Sequence, residues 1–184
     1  MDKDHSLTDA HPPREIASRV ERLGVAKAHT DSLTLLVLAV LAGAFVSLGA
    51  LFFTVVVTDA QLGFGMTRLL GGLSFCLGLV LVVVAGAELF TGNNLLAMAW
   101  VSGLISTRNV LRNWLLAYVG NVIGCLGTVL LALWGDIGSL DGGAVGQTAI
   151  HIASSKAGLS VMEAFARGIL CNALVCLAVW LAMG

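Results

Sequence analysis

Residues 88–94 read Glu-Leu-Phe-Thr-Gly-Asn-Asn, a carboxylate, a hydroxyl and two carboxamides grouped around a glycine. Such side chains can donate to and accept from a polar solute or a backbone that has left its helix. Their setting gives the group its interest. It lies within an apolar region covering residues 69–105, where an unpaired polar group costs roughly 2–7 kcal/mol. No nucleophile, base and orienting group fall together, so hydrolytic or other enzymatic chemistry has no support. The four cysteines, Cys76, Cys125, Cys171 and Cys176, lie in apolar runs without a C-x-x-C pair. They read as small buried hydrophobes rather than as a metal or redox site.

The elements that must hold the polar group are those of a membrane protein. The 184 residues are 58% hydrophobic and only 11% charged, with mean hydropathy +0.94. Soluble domains carry roughly a quarter charged residues. A net charge of -1 gives no electrostatic footprint for nucleic acid. Apolar runs of about 20 residues match the thickness of a bilayer core, and three stand out at residues 33–57, 113–134 and 162–183. Gly43, Ser47 and Gly49 in the first suit close helix contact, as do Gly120 and Gly124, spaced G-x-x-x-G, in the second. Residues 1–13 read as a disordered polar tail. Residues 14–30 read as a cytoplasmic amphipathic helix, with Ile16, Val20 and Leu23 at helical spacing, lying on the membrane or packed on a partner. Residues 58–67 and 106–112 read as loops, and 135–162 as a long glycine-rich polar connection. No cleavable leader is read, because the first apolar run begins only at Leu33 and is long enough to span.

Residues 69–105 are too long for one regular crossing. Basic residues decide how they cross. Lys3, Arg14, Arg19, Arg22 and Lys27 precede the first span, and Arg108 and Arg112 lie in the 106–112 loop. Only Arg68 and Lys156 fall on the other side. The positive-inside rule places the N-terminus in the cytoplasm, and the parity holds only if residues 69–105 cross once, as a broken span. Irregular backbone at membrane depth survives only when buried in protein or lining a cavity. The expected break is 88–93. Gly92 supplies the conformational freedom, Thr91, Asn93 and Asn94 cap the helix that resumes, and Glu88 sits before its positive end. Such half-helices hold anions in transporters and channels. The plainer alternative is a kink at a structural glycine.

The stretch "GAELFTGNNLL" resembles the signature of the formate/nitrite transporter family, whose second helix is interrupted by a loop. The resemblance extends through "RLLGGLSFCLGLVLVVVAGAELFTGN", "NWLLAYVGNVIG" and "KAGLSVMEAFARGILCNALVCLAVWLA", covering residues 13–184. It implies an all-α transmembrane fold, an aquaporin-like helical bundle assembled as a homopentamer in the inner cell membrane. It also implies passage of a small monovalent anion, such as formate, nitrite or hydrosulfide, with a proton as partner and no cofactor or metal. By the same resemblance Thr91 stands beside the pore constriction, which Phe75, Leu79, Leu89, Phe90 and Val175 narrow. Lys156 is the vestibule lysine and Asn172 an asparagine near it. Family members have six spans, the fifth again broken and carrying a pore histidine. Here the last two spans are lacking, and the histidines (His5, His11, His29 and His151) all lie outside the spans.

Two expectations follow. The first is a channel or transporter that passes the protonated acid through an apolar constriction after Lys156 has concentrated the anion. The second is a truncated, non-conducting member with only a structural role. A haem-anchoring subunit would need histidines within spans, and an aquaporin the paired "NPA" signature; the sequence has neither. Asn121 reads as helix-packing glue and Arg167 as a snorkelling interfacial residue.

Overall fold

The computed structural model describes residues 11–184, and the expected polar tail falls almost wholly outside them. Helix α1 is Pro13–His29, one residue earlier than expected, because Pro13 fits the first helical position, where a missing N–H costs nothing. The long helices are α2 (Ser32–Val57), α3 (Gly63–Ala85), α5 (Thr107–Trp134) and α7 (Val161–Leu181). These four are long and apolar enough to cross a membrane. Between α3 and α5 lie a 3-10 turn, Gly92–Leu95, and the short helix α4, Leu96–Val101.

Helix α2 is the axis of the bundle and packs against both α3 and α5. The packing follows small residues at helical period. Ala39, Ala42 and Gly43 on α2 are buried, as are Ala117, Gly120 and Gly124 on α5. A Cβ on Gly43 would run into the Asn121 backbone, and one on Gly124 into the carbonyl of Val40. The α2–α3 seam is similar: a Cβ on Gly49 would lie 3.0 Å from the amide nitrogen of Gly78. Between membrane helices, where lipid is as apolar as leucine, this backbone approach replaces the hydrophobic effect as the source of affinity.

Several boundaries move, each for a local reason. Helix α3 begins at Gly63, so the loop shrinks to residues 58–62. Residues 107–112 are not a loop but the first turns of α5, because the Ser106 side chain accepts from the Asn109 N–H and starts the helix early. The connection 135–162 is not simply irregular, since it contains helix α6, Ala144–Ala157. Helix α7 opens with a reciprocal Ser160–Glu163 capping box.

Helix α1 packs on α4 and α5. Val20 and Ala28 are buried on that face, and Gly24 lies against Ala99. Leu23, expected on the apolar stripe, is instead 43% exposed, because Gly24 occupies the contact line. Arg19 donates to the Met183 carbonyl, so α1, α4 and the C-terminal end of α7 share one end of the bundle. Arg112 fixes the end of α1, donating to the Thr30 carbonyl at 2.7 Å and to the Ser32 hydroxyl at 2.9 Å. Helix α6 packs on α2 and on the 3-10 turn Ile137–Ser139, which follows the other end of α5; at 28 residues α5 is about 42 Å long.

Candidate functional site

Helix α3 stops at Gly86, not at Gly92. Gly86 adopts φ +65°, its N–H donates to Val83, and the Ala87 N–H reaches back to Val82. This pair of bonds is the Schellman ending, which favours a residue without a Cβ at the left-handed position. Gly92 has no left-handed φ and begins the 3-10 turn. The interruption is therefore 86–91 rather than 88–93. Thr91, at the position preceding the turn, forms no side-chain cap, and the asparagines expected to cap have other work.

Asn93 is 1% exposed and Glu88 4% exposed, and they meet in a buried network. The Asn93 Nδ2 donates to Glu88 Oε2 at 2.7 Å and to Asn113 Oδ1 at 2.9 Å. Lys27, from α1, donates to Asn93 Oδ1 at 3.1 Å and pairs with Glu88 at 3.0 Å. Asn113 donates in turn to the Lys27 carbonyl, and Trp114 Nε1 donates to the Asn93 carbonyl. Glu88 thus answers a lysine from another element rather than the positive end of the resumed helix, because a buried carboxylate gains far more from a full charge at contact. Asn94 faces the other way and donates to Asn172 Oδ1 at 2.6 Å.

The irregular backbone has partners of its own. The Glu88 N–H donates to the Leu38 carbonyl of α2. The Asn121 carboxamide of α5 accepts from the Phe90 N–H at 2.9 Å and donates to the carbonyls of Glu88, 2.9 Å, and Ala39, 2.8 Å. Among the described residues no buried side-chain nitrogen or oxygen lacks a partner. The N–H groups of Leu89, Thr91 and Gly92 meet no protein acceptor among those residues.

A cavity of about 340 Å³ opens beside the break, between α1, α3 and α7. Its walls are mainly apolar, and Lys27 and Asn93 supply side-chain polarity. Of the residues singled out in the sequence, Leu79, Leu89, Gly92 and Asn93 line it together. Phe90 turns away and stacks edge-on against Tyr118 and Trp114, with ring centroids 5.6 and 6.4 Å apart. Thr91 presents its carbonyl to the Cys176 thiol. Asn172 and Val175 are half-buried on α7, and Phe75 on α3 is 41% exposed. None of these five is in the cavity wall. Lys156 is exposed in the last turn of α6, at the far end of the bundle. Lys27 is the cation at the break, and sequence reasoning assigned it only to charge balance. Its signal was its spacing, seven residues beyond buried Val20 and therefore on the packed face of α1.

The arrangement is that of a polytopic helical membrane protein in which an interrupted span lines a cavity. More specifically, the chain belongs to the formate/nitrite transporter family: the family model matches residues 14–184. It is 39% identical over 170 residues to the formate channel FocA of Escherichia coli K12, an alignment covering 92% of this chain and 60% of that protein. It is 38% identical to the formate channel BtFdhC of Bacillus thuringiensis, covering 95% of this chain and 67% of the relative. A solved pentameric formate channel with formate bound superimposes with a TM-score of 0.76 at 42% identity, over 81% of this chain and 59% of that one. An FNT family ion channel gives the same TM-score at 31% identity, over 93% and 67%. The chain thus spans about 60% of the length of FocA.

Proposed function

We propose that this chain forms part of a conduit for small monovalent anions, formate and nitrite among them, and that the solute crosses the constriction as its neutral acid. One observation carries the reading: the second span unwinds at residues 86–91 beside an apolar cavity of about 340 Å³. Desolvating an isolated anion is prohibitive, whereas its protonated form loses far less. Leu79 and Leu89 supply the apolar wall. The unpaired N–H groups at Leu89 and Gly92, residues of the cavity wall, supply donors for a carboxylate or nitrite oxygen. Lys156, at the opposite end, draws the anion toward the entrance. Thr91 and Asn172 flank the path, and Phe75, Phe90 and Val175 narrow it in the assembled protein. The assembly is a homopentamer in the inner cell membrane with the N-terminus cytoplasmic, in keeping with the pentameric solved relative and with the distribution of basic residues. The role is passage rather than catalysis, in keeping with relatives that are channels.

Proteoliposome uptake tests this. Formate entry should quicken when the outside is made acidic, and Lys156→Ala should slow it most at low formate. Uptake indifferent to the proton gradient would leave bare anion conduction instead. The same assay has a second outcome, a non-conducting structural form. Vesicles holding correctly inserted protein but passing no formate would select it.

A further inference from the structure

The sequence presents Asn121 as helix-packing glue, yet its side chain makes three hydrogen bonds, two to the break and one to α2. We infer that Asn121 is the positioning residue that sets the width of the constriction, and so its discrimination by solute size; this rests on the conduit reading. Its Oδ1 accepts from Phe90 N–H, and its Nδ2 donates to the carbonyls of Glu88 and Ala39. The two break contacts flank Leu89, pinning the peptide groups on either side of a residue that lines the cavity together with Leu79. The contact to Ala39 fixes the same group to α2. One carboxamide therefore replaces two of the hydrogen bonds that the missing helical turn would have made, partners that irregular backbone inside a membrane requires.

Only asparagine fits. It offers two donors and an acceptor on a short stem. A longer glutamine would need room where Gly43 already meets the Asn121 backbone and the neighbouring Gly120 contacts Ala39. Leucine keeps the volume and loses every bond. Aspartate keeps the acceptor for Phe90 N–H and, when ionised, turns a bare oxygen toward two carbonyls.

The experiment uses the full chain. Amide hydrogen exchange is read at Phe90 in the parent protein, in Asn121→Asp and in Asn121→Leu. Proteoliposome uptake of formate and of the bulkier lactate is measured in parallel. In the parent, the Phe90 amide should exchange as slowly as helical amides although it lies outside a helix. Exchange should quicken in Asn121→Asp and by about tenfold or more in Asn121→Leu, the loss of one buried hydrogen bond. The formate-to-lactate ratio should fall several-fold in the same order. That ratio does not depend on how much protein inserts, so a merely structural role would lower both uptakes and leave it unchanged; an unchanged ratio overturns the inference. A fast Phe90 amide in the parent overturns it without any variant, even if Asn121→Leu fails to fold. If the parent passes no formate but its Phe90 amide is protected in an Asn121-dependent way, the conduit reading fails and the positioning of the break by Asn121 stands.

Discussion

Removing Lys27 should harm the protein more than removing Glu88, and removing both should be better than removing Lys27 alone. The two charges lie 3.0 Å apart, with side-chain exposures of 31% for Lys27 and 5% for Glu88. At an effective dielectric of about 20 the gross attraction is about 5.5 kcal/mol. Partial access of Lys27 to water and the desolvation of Glu88 take back much of that. Lys27→Met leaves a carboxylate buried with Asn93 as its remaining side-chain donor, a loss of about 3 kcal/mol. Glu88→Gln leaves an ammonium that can turn to water and a neutral group that still accepts from Asn93, a loss of about 1 kcal/mol. The double variant has no buried charge to strand and should resemble Glu88→Gln, so the cycle should show coupling of about 3 kcal/mol. Equilibrium unfolding in detergent micelles, with limited proteolysis of α1 as a second reading, measures all three. Strict additivity, or Glu88→Gln as the more damaging single change, would refute the account of the buried pair.

The two glycines of the break separate cleanly. Gly86→Ala, at φ +65°, should cost about 1 kcal/mol or more through left-handed strain. Gly92→Ala, whose added Cβ would stand 3.7 Å from Val179 in ordinary contact, should change unfolding by less than about 0.5 kcal/mol. Gly124→Ala drives a methyl into the Val40 carbonyl and should cost about 3 kcal/mol, or prevent insertion, as seen by thermal aggregation in detergent. Asp31 caps α2, and hydrogen bonds from Thr34, and then from the Leu33 N–H, hold its carboxyl below the usual value of 3.8. A depressed value means stabilisation that is complete above about pH 4 and lost as pH falls through the lower folded value. Acid titration of helicity at the start of α2 should show this loss in the parent protein and not in Asp31→Asn.

The sequence by itself determined the membrane class, the four spans and the fact of an interruption, because these depend on apolar length and on polar residues where lipid should be. It also carried the resemblance to the family. The small-residue faces of α2 and α5 were legible at Gly43, Gly120 and Gly124, since close approach between helices demands residues without bulk. The place of the break was misread by two residues: Gly92 stood among the polar groups and drew the reading, while the helix-ending glycine, Gly86, stood in a run of apolar neighbours. Helix α6 was hidden because its many small and polar residues give little apolar contrast.

Partnership was decided by tertiary structure alone. Lys27 and Glu88 are 61 positions apart, and Asn121 lies 31 beyond Phe90. A hydrogen bond or ion pair depends on ångström-scale separation in space, and periodicity along a chain specifies which face a residue occupies without specifying what that face meets. The chain could announce that a carboxylate and its amides needed burial at mid-span. Only the folding of α1 against α4 and α5, and of α5 against α2, determined which lysine and which asparagine would receive them.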